Sequence, residues 1–405
     1  MSKRVLFVDD DPEVLSGLKR MLWEMEGGWD MVFAESGREA LEILAKRPID
    51  VVVSDMRMPG MDGAQLLAEV MNKYPNIVRI VLSGHSEREM ILKSVGPTHQ
   101  YLSKPCDQDT LIYTVERACD LRILLEDESL KSMVTQLDTL PSLPSLYTEI
   151  IAELRLDNCS MKKVGEIISK DVGMTAKILQ LVNSAFFGLP QHISTPEQAV
   201  TLLGLDTIRA LVMSVHIFTQ FDRHRIKRFP IDDISKHSLA IGVYAKEISR
   251  LERIDNKAVD DAFIAGLLHD VGAIVLAANL PEKYNEVLDL LEKESLKLHE
   301  AEQMVFKATH SEVGAYLLGL WGLPDPIVEA VFFHHYPMKS LDIKFSPITA
   351  VYAANTIDAE LNPSNAGEAD SQIDIDYLKK VGVADRFPIW KEACREIKER
   401  IGDER

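Results

Sequence analysis

Residues 51–55 read Val-Val-Val-Ser-Asp, and residues 5–12 read Val-Leu-Phe-Val-Asp-Asp-Asp-Pro; each is an unbroken apolar run that stops in carboxylates. A strand with one wet face alternates apolar and polar residues, whereas a continuous run is buried on both faces, as in a parallel sheet. Further short runs lie at Met31-Val32-Phe33, Ile80-Val81-Leu82 and Tyr101-Leu102. Between the first two runs, Val14, Leu15, Leu18, Met21 and Leu22 recur at helical spacing, and Ala40, Leu41 and Leu44, then Leu66, Leu67 and Val70, repeat the pattern. The arrangement predicts a doubly wound α/β domain with a five-stranded parallel sheet, in which ligands bind beyond the carboxyl ends of the strands.

Those ends are chemically loaded. The runs finish in Asp9-Asp10-Asp11, Ser54-Asp55 and Ser83-Gly84, and the last leads to Lys104-Pro105. Asp11-Pro12 reads as a helix start, an acceptor followed by proline in the first turn. Carboxylates from two strand ends form a hard-oxygen site suited to Mg²⁺, and Lys and Ser can hold phosphoryl oxygens. A carboxylate attacks phosphorus only where metal and cations offset the repulsion between two anions.

The whole chain has 405 residues, which at roughly 150 per domain predicts two or three domains. Its 45 basic and 63 acidic residues leave a net charge of −18, the opposite of a nucleic-acid-binding footprint, so no DNA partner is expected. The start, Met1-Ser2-Lys3-Arg4 before four apolar residues, lacks a secretory core, so no signal peptide is expected. No stretch reads as the ~20 apolar residues of a membrane span. Four scattered cysteines, Cys106, Cys119, Cys159 and Cys394, suit a reducing cytoplasm. A soluble cytoplasmic protein is the expectation.

Near residue 120 the pattern changes. From Leu111 through Val115, Ala118, Leu121 and Leu125 to Met133, Val134 and Leu137 the apolar spacing fits a long helix, interrupted by Glu126-Asp127-Glu128. It predicts a helical linker over 121–139 between a first domain (1–120) and a second (140–401), and its stripe admits a homodimer. Pro141 and Pro144 end it. Beyond, apolar faces at helical spacing recur and alternating strand patterns are absent, which predicts an all-α domain. The polar stretch 358–376 reads as a surface loop. Histidines in this half fall beside apolar runs: His237, His269-Asp270, His310 and His334-His335. One histidine is ordinarily a core or surface residue; this grouping points to a shared metal centre of N and O donors, suited by type to Fe, Mn, Zn or Ni.

Two resemblances follow from these strings. VLFVDDDP, VVVSDMRMPGMDG, VLSGHS and YLSKP occur in order over residues 3–120, and this segment resembles the receiver domain of two-component response regulators. The resemblance implies that Asp55 accepts a phosphoryl group from a sensor histidine kinase. It implies that Asp10 binds Mg²⁺ directly, Asp9 through water, and the Arg57 carbonyl completes the protein ligands. Lys104 and Ser83 would contact the phosphate, Tyr101 would be the aromatic that moves inward on activation, and Arg57 and His85 stand where phosphate lifetime is tuned. TLPSLPSLY, IISKDVGMTAKILQLVNSAFFGLPQHISTPEQAVTLLG, AFIAGLLHDVG and HSEVGAYLLGLWGLPDPIVEAVFFHH resemble the HDOD branch of the HD phosphohydrolase superfamily over about 139–340. That branch is regulatory and protein-binding, which implies an unidentified protein target. Catalytic relatives carry Lys where Ala273 stands, a late Asp where Asn355 stands, and a Gly-Tyr-Pro signature that is absent here, since Tyr336-Pro337 follows His335 directly. Asp358, one turn after Asn355, could substitute only from a shifted direction. The leading expectation is a non-catalytic output switched by phosphorylation; the alternative is a metal-dependent phosphohydrolase under the same switch, with a transcription factor third.

Overall fold

The computed structural model describes residues 3–403 except 26–27, 84–97, 122–123, 138–140, 143, 155, 157, 184–192, 206–207, 209–218, 221–227, 295, 341–342 and 363–371. Gly84, His85, Leu140, Leu143 and residues 363–371 of the stretch expected as a surface loop lie outside the described residues.

Strands β1 (Lys3–Val8), β2 (Trp29–Ala34), β3 (Val51–Asp55), β4 (Val78–Ser83) and β5 (Gln100–Ser103) form one sheet in the order β2-β1-β3-β4-β5, all parallel. Val5 lies between Met31 and Val51 in the register. The order reverses direction between β1 and β3, so their carboxyl ends flank the crevice where a doubly wound sheet takes its ligand. The runs are continuous because both faces are covered. On one face Leu6, Val8, Val52 and Val81 pack with Ala40, Leu44, Leu66 and Val70; these come from α2 (Gly37–Leu44) and α3 (Gly63–Lys73), after α1 (Pro12–Met21). On the other face Val5, Phe7, Val53 and Leu82 join Leu15, Leu111, Val115 and Ala118. This second core continues without a break into the helical half.

The linker differs from its sequence reading. Helix α4 (Gln108–Leu121) stops, and a separate α5 (Glu128–Thr135) begins after Asp127, whose carboxylate accepts from the Leu130 N–H at 2.8 Å. Leu121, Leu125, Leu130 and Val134 are all buried. The apolar stripe that a homodimer would have used is consumed within the chain.

The rest is helical: α6 (Pro144–Leu154), α7 (Met161–Ile168), α8 (Val172–Val182), α9 (Pro196–Leu203), α10 (Ile231–Leu251), α11 (Asn256–Leu268), α12 (Val271–Asn279), α13 (Pro281–Lys293), α14 (Leu298–Phe306), α15 (His310–Leu320), α16 (Asp325–Phe333), α17 (Pro347–Leu361), α18 (Ile375–Val381) and α19 (Phe387–Asp403). A two-residue parallel pair, Pro141–Ser142 with Thr219–Gln220, departs from the all-helical expectation. Helix α17 carries the chain through Asp358 to Leu361, so the expected loop does not start at 358. Helices α11 and α12 together, Asn256–Asn279, contain an 18-residue window of mean hydropathy 1.6, long and apolar enough by length and composition to cross a membrane, contrary to the sequence reading. Yet 89% of that window is buried. It is the core of the helical half, broken at His269-Asp270.

Candidate functional site

Two groups of polar residues are enclosed by this framework. The first stands at the carboxyl edge of the sheet. The three aspartates after β1 divide their roles: Asp11 caps α1 by accepting from the Glu13 N–H at 2.8 Å, Asp9 is buried, and Asp10 is exposed at the mouth. Asp9 Oδ1 accepts from the Asp11 N–H at 3.0 Å, which fixes its carboxylate inward. Asp55 closes β3 and accepts from the Arg57 N–H at 2.7 Å. Lys104, just past β5, places its Nζ 2.6 Å from Asp9 Oδ2 and in an ion pair with Asp55 Oδ1. Burial lifts the Asp55 carboxyl above its usual pKa, against the opposing pull of Lys104. The two carboxylates hold the Lys104 ammonium above its own usual value, although burial pulls it down. Ser83 ends β4, opposite Ser103. Tyr101 is buried, so its ring is already inside.

The second group lies among helices α10, α11, α12, α14, α15, α16 and α17, and it brings together all six residues marked from the sequence. His269 ends α11 and Asp270 begins α12, so the break between the helices delivers adjacent side chains to one point. The close approach is permitted by glycines. A Cβ on Gly272 would stand 2.0 Å from the His310 carbonyl oxygen, and one on Gly266 would stand 2.8 Å from the Gly242 backbone. A capping box between Thr309 and Glu312 fixes where α15 starts, and so where His310 sits. His334 follows α16 directly.

Asp270 is the hub. Its Oδ2 lies 3.1 Å from His269 Nε2 and 3.9 Å from His237 Nε2. Its Oδ1 lies 3.3 Å from His310 Nε2 and 3.8 Å from His334 Nε2. His335 Nε2 reaches His310 Nε2 at 2.9 Å. The donors fall into two triads, His237/His269/Asp270 and His310/His334/His335, each with its ligand atoms within 4.8 Å of one another.

The back of four of the rings is held. His237 Nδ1 is 2.9 Å from Asp358 Oδ2, His310 Nδ1 is 2.6 Å from Glu302 Oε2, and His269 and His334 Nδ1 are each 2.7 Å from a carbonyl, of Gly266 and Val331. These oxygens only accept, which assigns the hydrogen to Nδ1 and turns an Nε2 lone pair inward. Lone pairs of His310 and His334 then face each other at 3.3 Å, an arrangement that a cation relieves. Nε2 of His269 and Oδ1 of Asn355 are buried without a hydrogen-bond partner. Burial, and then the neighbouring imidazoles, push His334 and His335 well below the usual histidine pKa. Burial alone would raise Asp270, but His269, His310 and His237 hold it well below the carboxylate range. For His334 and His335 that direction favours the neutral imidazole, which like an ionised carboxylate is a form that binds metal.

Asp358 therefore orients His237 and does not take the place of a ligand, and Ala273 is a fully buried core residue. Sequence reasoning missed Glu302, eight residues before His310 on another helix and in no motif. It also missed His299, whose ring lies 4.4 Å from that of His335 and whose Nε2 is 3.0 Å from the Tyr336 hydroxyl.

Two family models match separate parts of the chain. The response regulator receiver domain family matches residues 5–116, and the HDOD domain family matches residues 140–337. A Treponema pallidum protein described as uncharacterized is 25% identical over 61% of this chain and 47% of its own length. The hydrogenase transcriptional regulatory protein HoxA of Cupriavidus necator is 38% identical over 30% of this chain and 25% of its own. The chain thus spans about half or less of the length of these curated relatives. A Geobacter sulfurreducens crystal structure of an HDOD domain protein with unknown function is 23% identical, covering 70% of this chain and 95% of that one at a TM-score of 0.40.

Proposed function

We propose that the chain, in which a receiver-domain match precedes an HDOD-domain match, is a response regulator in which phosphorylation of Asp55 controls a non-catalytic, protein-binding output built around a metal-binding histidine centre. The observation that carries the first half is the Lys104 ammonium, which bridges Asp9 and Asp55 at the carboxyl edge of the sheet. A receiver implies a phosphodonor, here a sensor histidine kinase. An Asp55 carboxylate oxygen forms the new O–P bond as the P–N bond of the donor's phosphohistidine breaks and the imidazole nitrogen keeps the electron pair. Asp9, Asp10, Asp55 and the Arg57 carbonyl would hold Mg²⁺, which supplies charge neutralisation between the two anions. Lys104 then turns from Asp55 to a phosphoryl oxygen, and Ser83 stands at the neighbouring strand end.

In the second half, His237, His269, Asp270, His310, His334 and His335 would hold a transition metal of the Fe, Mn, Zn or Ni type, which supplies a positive charge to the converging lone pairs. Non-catalytic output is supported by Ala273, a buried methyl where a substrate-binding cation would be needed, and by the neutral amide of Asn355. The converged donor set itself favours the second reading, a metal-dependent phosphohydrolase. Acetyl phosphate with Mg²⁺ should add one phosphoryl group by intact mass; labelling that persists in Asp55→Asn contradicts the assignment. Turnover of cyclic dinucleotides or nucleotides that needs added metal and vanishes in His269→Ala would establish the second reading instead.

A further inference from the structure

The receiver grips the two helices that carry three of the histidines, and it grips each at the end away from the histidine. Helix α16 ends in His334-His335; at its start, Asp325 accepts from the Tyr113 hydroxyl and pairs with Arg117 Nε at 2.9 Å. Arg117 also donates to the Leu323 carbonyl, two residues before Asp325. Helix α15 begins with His310; at its other end, Gln100 Nε2 donates to the Gly319 carbonyl at 3.3 Å. Leu121 lies so close to Gly319 that an added Cβ would stand 2.5 Å from its methyl. Midway, the Tyr316 hydroxyl is 2.9 Å from that of Thr135.

Thr135 is in turn tied to the strands whose ends carry the phosphorylation chemistry. Its carbonyl accepts from the fully buried Arg79 guanidinium of β4 at 2.8 Å and lies 2.7 Å from Nε2 of His99, the residue before β5. Arg79 stands four residues before Ser83, and Gln100 four before Lys104. Helices of 11 and 9 residues span about 16 and 13 Å and act as stiff rods, so a shift at one end is felt at the other. Packed interfaces of this kind change between discrete arrangements and do not deform continuously. The Arg117–Asp325 pair is half exposed on the acid's side and contributes little stability by itself; its significance is geometric.

We infer that the histidine centre is a metal-sensing input to the receiver: metal bound there and a phosphoryl group at Asp55 alter each other's affinity through α15 and α16, with Tyr113, Arg117 and Gln100 as positioning residues. This rests on the metal-binding reading of the centre. Coupling of binding sites is reciprocal, so the factor by which one ligand changes the other is the same in both directions.

The test measures Zn²⁺ affinity of the full chain by competition with a chromophoric chelator, in saturating Mg²⁺, with and without beryllofluoride as the phosphoryl mimic. The expected result is a shift of about fivefold or more in the Zn²⁺ Kd, matched by an equal shift in beryllofluoride affinity on adding Zn²⁺. His269→Ala should lose Zn²⁺ binding. Tyr113→Phe with Arg117→Ala should keep Zn²⁺ binding and lose the shift, with Arg117→Lys restoring part of it; Gln100→Ala, a milder change, should weaken it. Stoichiometric Zn²⁺ binding whose affinity ignores beryllofluoride overturns the coupling and leaves the metal centre standing. A full shift in the Tyr113/Arg117 double variant overturns the route. Absence of Zn²⁺ binding in the unaltered chain overturns the metal reading and the coupling with it.

Discussion

The two sites solve one problem, buried negative charge, in opposite ways. At the sheet edge, Asp9 and Asp55 converge and the chain supplies its own cation, Lys104. Among the helices, Asp270, Asp358 and Glu302 are buried with histidines as their ion-pair partners, and every ring with a held Nδ1 turns its other nitrogen toward Asp270. At the first site one ammonium faces two carboxylates, which leaves a net negative charge for a further cation to offset. The second is a set of lone pairs that a cation completes. Strand ends deliver groups to an open edge, whereas helix ends deliver them to an enclosed point.

Four substitutions probe this contrast, in descending order of effect. Asp55→Asn should abolish phosphorylation by acetyl phosphate altogether, since no second carboxylate at the edge closes a strand as Asp55 does; intact mass reads the result. Lys104→Ala removes the built-in cation and should slow phosphorylation by ~10²–10³, the usual loss for one charge-stabilising contact. A rate within error of the unaltered protein would show that Mg²⁺ alone balances the edge. Asp358→Asn leaves His237 in place but weakens its orientation, and should lower metal affinity by about 10–100-fold with the fold intact; circular dichroism beside the metal titration separates the two. Asp127→Ala removes the cap of α5 and should cost about 1 kcal/mol in denaturant unfolding. A much larger loss would mean that α5 anchors the domain junction and does more than line it.

The edge site was readable in the sequence because each functional residue directly follows a short apolar run, and strand ends converge by topology alone. Its finer division was less so: Asp11 announced itself as a cap by the proline after it, but only the fold shows that Asp9 faces inward and Asp10 outward. The histidines that cluster were marked by residue type. Their supports were not, because Glu302 and Asp358 act through Nδ1 across 8 and 121 residues of sequence. The linker misled because helical spacing from Leu111 to Leu137 is equally satisfied by two helices that bury Leu121, Leu125, Leu130 and Val134 within the chain. The apolar run over α11 and α12 hid its length because His269 and Asp270 interrupt it, and those two residues are the reason it is interrupted.

The central claim is that phosphorylation at the sheet edge reaches the histidine-bearing helices. Hydrogen exchange of the full chain, with and without saturating beryllofluoride, tests it most directly. The account predicts altered exchange both in residues 108–137 and in residues 310–335. Exchange that changes around Asp55 and nowhere in 310–335 would contradict it.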